Sequence, residues 1–241
     1  MGDPRIGIIE ERLKGVNRIV AVSSGKGGVG KSLIASTLAL TLASRGYKVG
    51  LFDLDFTSPS THVILGVEGL QPREEKGIIP PQVHRLKYMS IVYYSGEYAS
   101  PLRGADVSNA LIELLAITRW NNLDFLIVDM PPGISDATLD IIRLVKRIEF
   151  VVITTPSRLA FETVRKLIDL LSELGIPIMG AVENMKMKES RFIQQQIEGR
   201  GIKFWGEVPF DAEIEEAIGD VNKVLATQFG KKLGEIEKLK T

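Results

Sequence analysis

Lys26, Lys31 and Ser32 lie in the run Ser23-Ser24-Gly25-Lys26-Gly27-Gly28-Val29-Gly30-Lys31-Ser32, and their spacing suits the binding of phosphate. Gly25, Gly30, Lys31 and Ser32 fill the pattern Gly-x-x-x-x-Gly-Lys-Ser/Thr. Glycines let a loop curl so that successive amide N–H groups point inward at phosphate oxygens, and a following helix adds the positive end of its dipole. Lys31 is placed to reach the β- and γ-phosphates, and the Ser32 hydroxyl to ligate Mg²⁺. The loop implies a nucleoside triphosphate site with Mg²⁺.

Two acidic segments could complete that chemistry. Lys48-Val49-Gly50-Leu51-Phe52 reads as a buried strand that runs into Asp53-Leu54-Asp55. Asp124-Phe125-Leu126-Ile127-Val128-Asp129 is a second apolar strand ending in acid, followed by Met130-Pro131-Pro132-Gly133. An aspartate at such a strand end can hold Mg²⁺ through water, which assigns that task to Asp129, while Gly133 can offer an N–H to a γ-phosphate at a switch hinge. In doubly wound sheets the carboxyl ends of the strands carry the chemistry.

The elements that must position these groups follow from the apolar pattern. Ile19-Val20-Ala21-Val22 reads as the strand before the glycine loop, and residues 33–43 as the helix after it. Further strands read at residues 88–93, 150–156, 177–182 and 204–210, and helices at 106–118, 157–174 and across most of 211–239. Residues 4–17 carry Ile6, Ile9, Leu13 and Val16 at helical spacing, a short N-terminal helix that could dock a partner. Residues 56–104 read as a long irregular excursion interrupted by the 88–93 strand. Alternation of strand and helix predicts an α/β fold: a doubly wound, mostly parallel sheet with helices on both faces, as a single domain over 1–241.

Composition excludes other classes. Lys+Arg and Asp+Glu are 30 each in the 241 residues, so no net field draws the chain to nucleic acid or anionic lipid. No apolar run approaches the roughly 20 residues of a membrane span, and Met1-Gly2-Asp3-Pro4-Arg5 lacks a secretory apolar segment, so a cytoplasmic location is expected. With no cysteine the chain offers no thiolate for zinc or an iron–sulfur cluster. His62 and His84 are its two imidazoles, and His62 reads as a polar loop residue.

The form Gly-Lys-Gly-Gly-Val-Gly-Lys-Ser at residues 25–32 resembles the deviant phosphate-binding loop of the Mrp/MinD family of ATPases. The resemblance continues through Gly77-Ile78-Ile79-Pro80-Pro81, Leu86-Lys87-Tyr88-Met89-Ser90-Ile91, Leu102-Arg103-Gly104 and Val182-Glu183-Asn184-Met185. It implies a homodimer that closes around two Mg·ATP, with Lys26 reaching the partner's phosphates. It implies catalysis by Lys26, Lys31 and Asp55, with Asp55 orienting water and sharing the metal with Ser32 and Asp129, and Asp53 supporting that shell and the switch. It further implies nucleotide contacts from Gly25, Lys26, Gly27, Gly28, Val29, Gly30, Lys31, Ser32, Leu33, Asp53 and Gly133, with Asn184 and backbone at Pro209 on the adenine. Leu33 departs from the hydroxyl common at its position.

Iron–sulfur carriers of this family follow the Glu-Asn-Met phrase with a cysteine pair, where this chain reads Lys186-Met187-Lys188-Glu189-Ser190. Within the family the wording of residues 51–56, 62–66 and 101–104 resembles the cysteine-free archaeal atypical HypB proteins. That likeness implies a switch ATPase that helps a HypA-like metallochaperone insert nickel into [NiFe] hydrogenase. The alternatives are an Mrp-like ATPase of metal-cluster assembly without its own cluster, and a MinD/ParA-type positioning ATPase. The lysine-rich end after Gly230 lacks the bulky apolar face of a MinD membrane helix, so neither membrane nor nucleic acid is expected as a partner.

Overall fold

A computed structural model describes residues 5–95 and 105–236, so the Leu102-Arg103-Gly104 phrase, the tail beyond Ile236 and the first four residues lie outside the described part. Among the described residues ten strands are formed: β1 (Val16–Ser24), β2 (Val49–Asp53), β3 (Arg73–Glu74), β4 (Ile78–Ile79), β5 (Gln82–Val83), β6 (Leu86–Ser90), β7 (Leu123–Asp129), β8 (Ile148–Thr154), β9 (Ile178–Lys186) and β10 (Phe204–Pro209). The helices are α1 (Arg5–Leu13), α2 (Lys31–Ser44), α3 (Thr61–Leu65), α4 (Val92–Ser95), α5 (Ala105–Ile117), α6 (Asp136–Leu144), α7 (Arg158–Glu173), α8 (Phe192–Glu198), α9 (Ile214–Ala217), α10 (Val221–Ala226) and α11 (Gln228–Ile236).

Eight strands make one sheet in the order β10-β9-β8-β1-β7-β2-β6-β5, while β3 and β4 form a separate hairpin. Every pairing in the large sheet is parallel except β5 on β6. Parallel strands joined by helices must be covered on both faces, which is why they read as unbroken apolar runs. Alternate residues supply the two cores. Ile19 and Ala21 of β1 join α1, α5, α6 and α7 on one face. Val20 and Val22 join α2, α10 and α11 on the other. The mostly parallel, doubly wound expectation holds.

Several boundaries move for physical reasons. Val16 belongs to β1, not to the first helix, because it pairs with Leu123. α1 stops at Leu13, and a Cβ on Gly15 would lie 2.9 Å from the Asn121 carbonyl, a backbone approach that a larger residue would obstruct. The 88–93 strand ends at Ser90, whose partner Asp53 is the last residue of β2, and Val92–Ser95 turns into a helix instead. The stretch called irregular contains α3, the β3–β4 hairpin and β5. Elements of four or five residues carry no readable period.

β1 sits between β7 and β8, so chain that leaves β1 for β2 and chain that enters β8 lie on opposite sides of it. That divergence opens a crevice at the carboxyl ends of the strands, where α/β sheets bind ligands.

Candidate functional site

The glycine loop leaves β1 at Ser24 and becomes α2 at Lys31. Gly28 and Gly30 have φ of 76° and 79°, in the left-handed region that favours glycine. Gly30 caps α2 without any side-chain hydrogen bond, so the first amides of that helix remain free to meet an anion. A Cβ at Gly25 would run into the backbone of Thr163 and Val164 on α7, which explains glycine there. Gly27 and Gly28 have open space above them. Lys26, Gly27 and Gly28 are exposed at the tip, whereas Val29 is buried and Leu33 is half-buried.

Lys31 turns inward. Its Nζ donates to Asp129 Oδ1 at 2.6 Å and to Ser32 Oγ at 3.2 Å, and stands 3.9 Å from Asp55 Oδ2. Parallel registry puts the aspartates side by side: Val22 of β1 pairs with Asp129, and Asp129 pairs with Asp53. Burial pushes the Asp53 carboxyl up to about 7, with the neighbouring Asp129 charge adding to the effect and bonds from Thr61 and the Asp55 amide opposing it. Burial likewise raises Asp129, against the pull of Lys31.

Asp55 is anchored through one oxygen. Its Oδ1 accepts from Thr57 Oγ1 at 2.7 Å, the Thr57 amide at 3.2 Å and the Ser58 amide at 3.1 Å. The other oxygen is left facing Lys31. The Gly133 amide donates to the Ser24 carbonyl at 2.9 Å, which lays the segment after β7 against the start of the glycine loop.

On the far side of the loop, Asn184 is buried on β9 and its Nδ2 donates to the Val29 carbonyl at 2.9 Å. A Cβ on Gly30 would collide with that amide, so the loop and Asn184 are fitted to each other. Pro209 ends β10, half-buried beside the end of β9, with the Phe210 amide donating to the Lys186 carbonyl at 3.0 Å. The structure therefore gathers Lys31, Ser32, Asp53, Asp55, Asp129, Gly133 and Asn184 around one loop, with Lys26 exposed at its tip.

The donor set suits a divalent ion with phosphates. Asp129 Oδ2 is buried and accepts no hydrogen bond, which leaves it able to take a cation or that cation's water shell. The sequence reading missed Thr61 and Tyr88, which bond to Asp53 through a buried chain. The one local clue was Ser60-Thr61 just ahead of Val63-Ile64-Leu65, a helix-start signal.

The chain is similar to several known proteins. An iron–sulfur cluster carrier protein of Aquifex aeolicus (strain VF5) is 37% identical over 222 residues, covering 86% of this chain and 61% of that protein. The carrier protein of Escherichia coli (strain K12) is 41% identical over 178 residues, 73% of this chain and 48% of its own length. The chain thus spans only 48% to 61% of these two curated relatives. A nucleotide-binding protein of Archaeoglobus fulgidus, solved in complex with ADP, superposes with a TM-score of 0.76 at 30% identity, covering 91% of this chain and 92% of that one. The cell division ATPase MinD of Pyrococcus furiosus shares the fold, with a TM-score of 0.68 at 19% identity over 91% of this chain and 98% of that one.

These findings correct one expectation. The curated relatives are named iron–sulfur cluster carriers, not HypB, which overturns the nickel-insertion reading and removes the ground for a HypA-like partner. Of the wording that resembles HypB, residues 51–56 and 62–66 fall on β2, the turn after it and α3, elements of the shared fold, and a fold by itself does not specify cargo. Among the described residues no helix is long and apolar enough to cross a membrane. The family described as ParA, the NUBPL iron-transfer P-loop NTPases, matches residues 15–238, and the chain belongs to it.

Proposed function

We propose, from membership of that family, that this chain is a Mg·ATP-hydrolysing dimeric switch serving metal-cluster assembly without a thiolate-held cluster of its own. The single observation that carries the reading is the Lys31–Asp129–Asp55 constellation closed around a glycine loop with free helix-N-terminal amides. The absence of cysteine throughout the 241 residues supports the second half. Iron–sulfur carriage is a property named for the relatives, and a chain without thiolates would act on the cargo of a partner.

In this reading Lys31 and the amides from Gly27 to Leu33 bind the β- and γ-phosphates, and Lys31 exchanges Asp129 for phosphate oxygens. Ser32, Asp129 and Asp55 would hold Mg²⁺, which neutralises charge on the phosphate oxygens when bound. Asp55 orients the attacking water through the oxygen that its own turn leaves free. Water oxygen bonds to the γ-phosphorus, the bond to the ADP oxygen breaks, and ADP and phosphate leave. Lys26, exposed at the loop tip, is supplied by a second copy of the chain and stabilises charge in the transition state. Asn184 and backbone at Pro209 take the adenine edge, which requires Asn184 to release Val29. Asp53 holds the switch, and Gly133 turns its amide from Ser24 to the γ-phosphate. Residues 1–241 act as one ATPase unit, with the N-terminal helix as the element available to a partner.

The test is phosphate release from ATP with Mg²⁺ by the purified chain, alongside nucleotide binding. Binding together with turnover that Lys31→Ala removes supports the reading. Binding without turnover, with or without an iron–sulfur acceptor protein, would return the chain to a nucleotide-dependent scaffold.

A further inference from the structure

The loop after β2 carries Asp55, and a single buried carboxylate ties its two ends together. Asp53 Oδ1 accepts from the Asp55 amide at 3.0 Å. Asp53 Oδ2 accepts from the Thr61 hydroxyl at 2.6 Å and from the Thr61 amide at 3.2 Å, at the start of α3. Thr61 Oγ1 also lies 2.9 Å from the Tyr88 hydroxyl on β6. With the carboxylate ionised, Thr61 spends its one proton on Asp53, so Tyr88 donates to Thr61. Asp53 and Thr61 have no solvent exposure and Tyr88 has 1%.

The far end of α3 is also held. The Gly219 amide donates to the Ile64 carbonyl at 3.2 Å, and Gly66, with φ of 61°, packs so close to Gly219 that a Cβ would collide. The switch loop is therefore strung between fixed points, and the position of Asp55 follows from the Asp53 anchor at one end.

We propose that Thr61, backed by Tyr88, is a positioning residue for ATP hydrolysis: it orients Asp53, Asp53 fixes the Asp55 amide, and Asp55 is thereby presented to the reacting water. This rests on the ATPase reading above. The hydrogen bonds of the Thr61 side chain run to Asp53 and Tyr88, and Lys31 instead bonds Asp129 and Ser32. The chain of hydroxyls through Thr61 and Tyr88 accounts for polar groups buried behind Asp53 that nucleotide binding itself does not require. Misplacing a group that orients a nucleophile by about 1 Å can cost on the order of 100-fold in rate while leaving ground-state binding intact.

Steady-state phosphate release and equilibrium ATP binding are measured for the wild type and for Thr61→Val, Thr61→Ser and Tyr88→Phe. Thr61→Val is expected to lower kcat about 10-fold or more with KM and ATP affinity within about twofold, because valine keeps the shape and removes the hydroxyl. Thr61→Ser restores kcat to within about threefold, and Tyr88→Phe loses about threefold, since it weakens one bond of the chain. An unchanged kcat in Thr61→Val, or a fall of kcat and affinity together that serine does not rescue, overturns the positioning role. Should the valine variant fail to fold, Tyr88→Phe decides: wild-type kcat overturns the proposal. A wild type that binds ATP but releases no phosphate sinks the ATPase reading, and this role with it. An active wild type with an indifferent Thr61→Val sinks this role alone.

Discussion

The two ends of the central sheet treat charge in opposite ways. At the carboxyl end, Lys31, Asp53, Asp55 and Asp129 are all buried, and one oxygen of Asp129 has no partner. At the amino end, Arg18 pairs with Glu149 at 2.9 Å in partial exposure, Lys146 pairs with Glu10 at the surface, and Arg147 donates to the Leu13 and Val16 carbonyls. The amino-end groove of about 530 Å³ is lined by Glu10 and Glu11 together with Lys14, Lys146 and Arg147, so its acids stand among bases at the surface. Charges at the amino end fasten α1 to the sheet where water screens them. Burying charges without full pairing costs free energy, and natural chains retain such costs where chemistry needs them.

Mutations can break that comparison or sharpen it. Lys31→Ala should abolish detectable ATP binding and also lower stability by about 3–5 kcal/mol, since it strands Asp129 without its cation. Calorimetry with and without nucleotide measures both, and a stable variant that still binds ATP would erase the contrast. Lys26→Ala should lower kcat by about 10³-fold with ATP affinity unchanged, the scale of a charge supplied in trans. Mixing it with an Asp55→Asn chain should restore part of the turnover in mixed dimers, and no recovery would argue against a lysine acting across copies. Asp55→Asn should lower kcat about 100-fold while retaining binding, read by single-turnover phosphate release. Arg18→Ala, the amino-end control, should change stability by about 0–1 kcal/mol and leave kcat within about twofold. A large kinetic effect there would mean that the two ends are coupled.

Some of this was legible before folding. The loop residues 25–32, the acids ending β2 and β7 and the placing of Asn184 at the end of β9 all follow from local patterns, because a glycine run between an apolar strand and a helix has few other uses. The short elements of residues 56–95 were illegible: α3 has five residues, and its role comes from Thr61 reaching back to Asp53. Relation to iron–sulfur carriers was legible only as the Mrp-like alternative and was ranked below HypB, since the cargo of a family is written in sites and partners that this chain's own motifs do not contain.

The amino-acid sequence by itself determined that a phosphate-gripping loop would sit between a buried strand and a helix, with acids at the ends of further strands. Periodicity and glycine placement are properties of neighbours along the chain, and they survive without knowledge of the fold. The tertiary structure alone decided that β7 inserts between β1 and β2, which sets Asp129 beside both Val22 and Asp53. It also decided that Asn184, 155 residues from Val29, closes on the loop, and that Tyr88, 27 residues from Thr61, backs the switch. Such meetings depend on strand order and register, which are settled by burying both faces of the whole sheet at once.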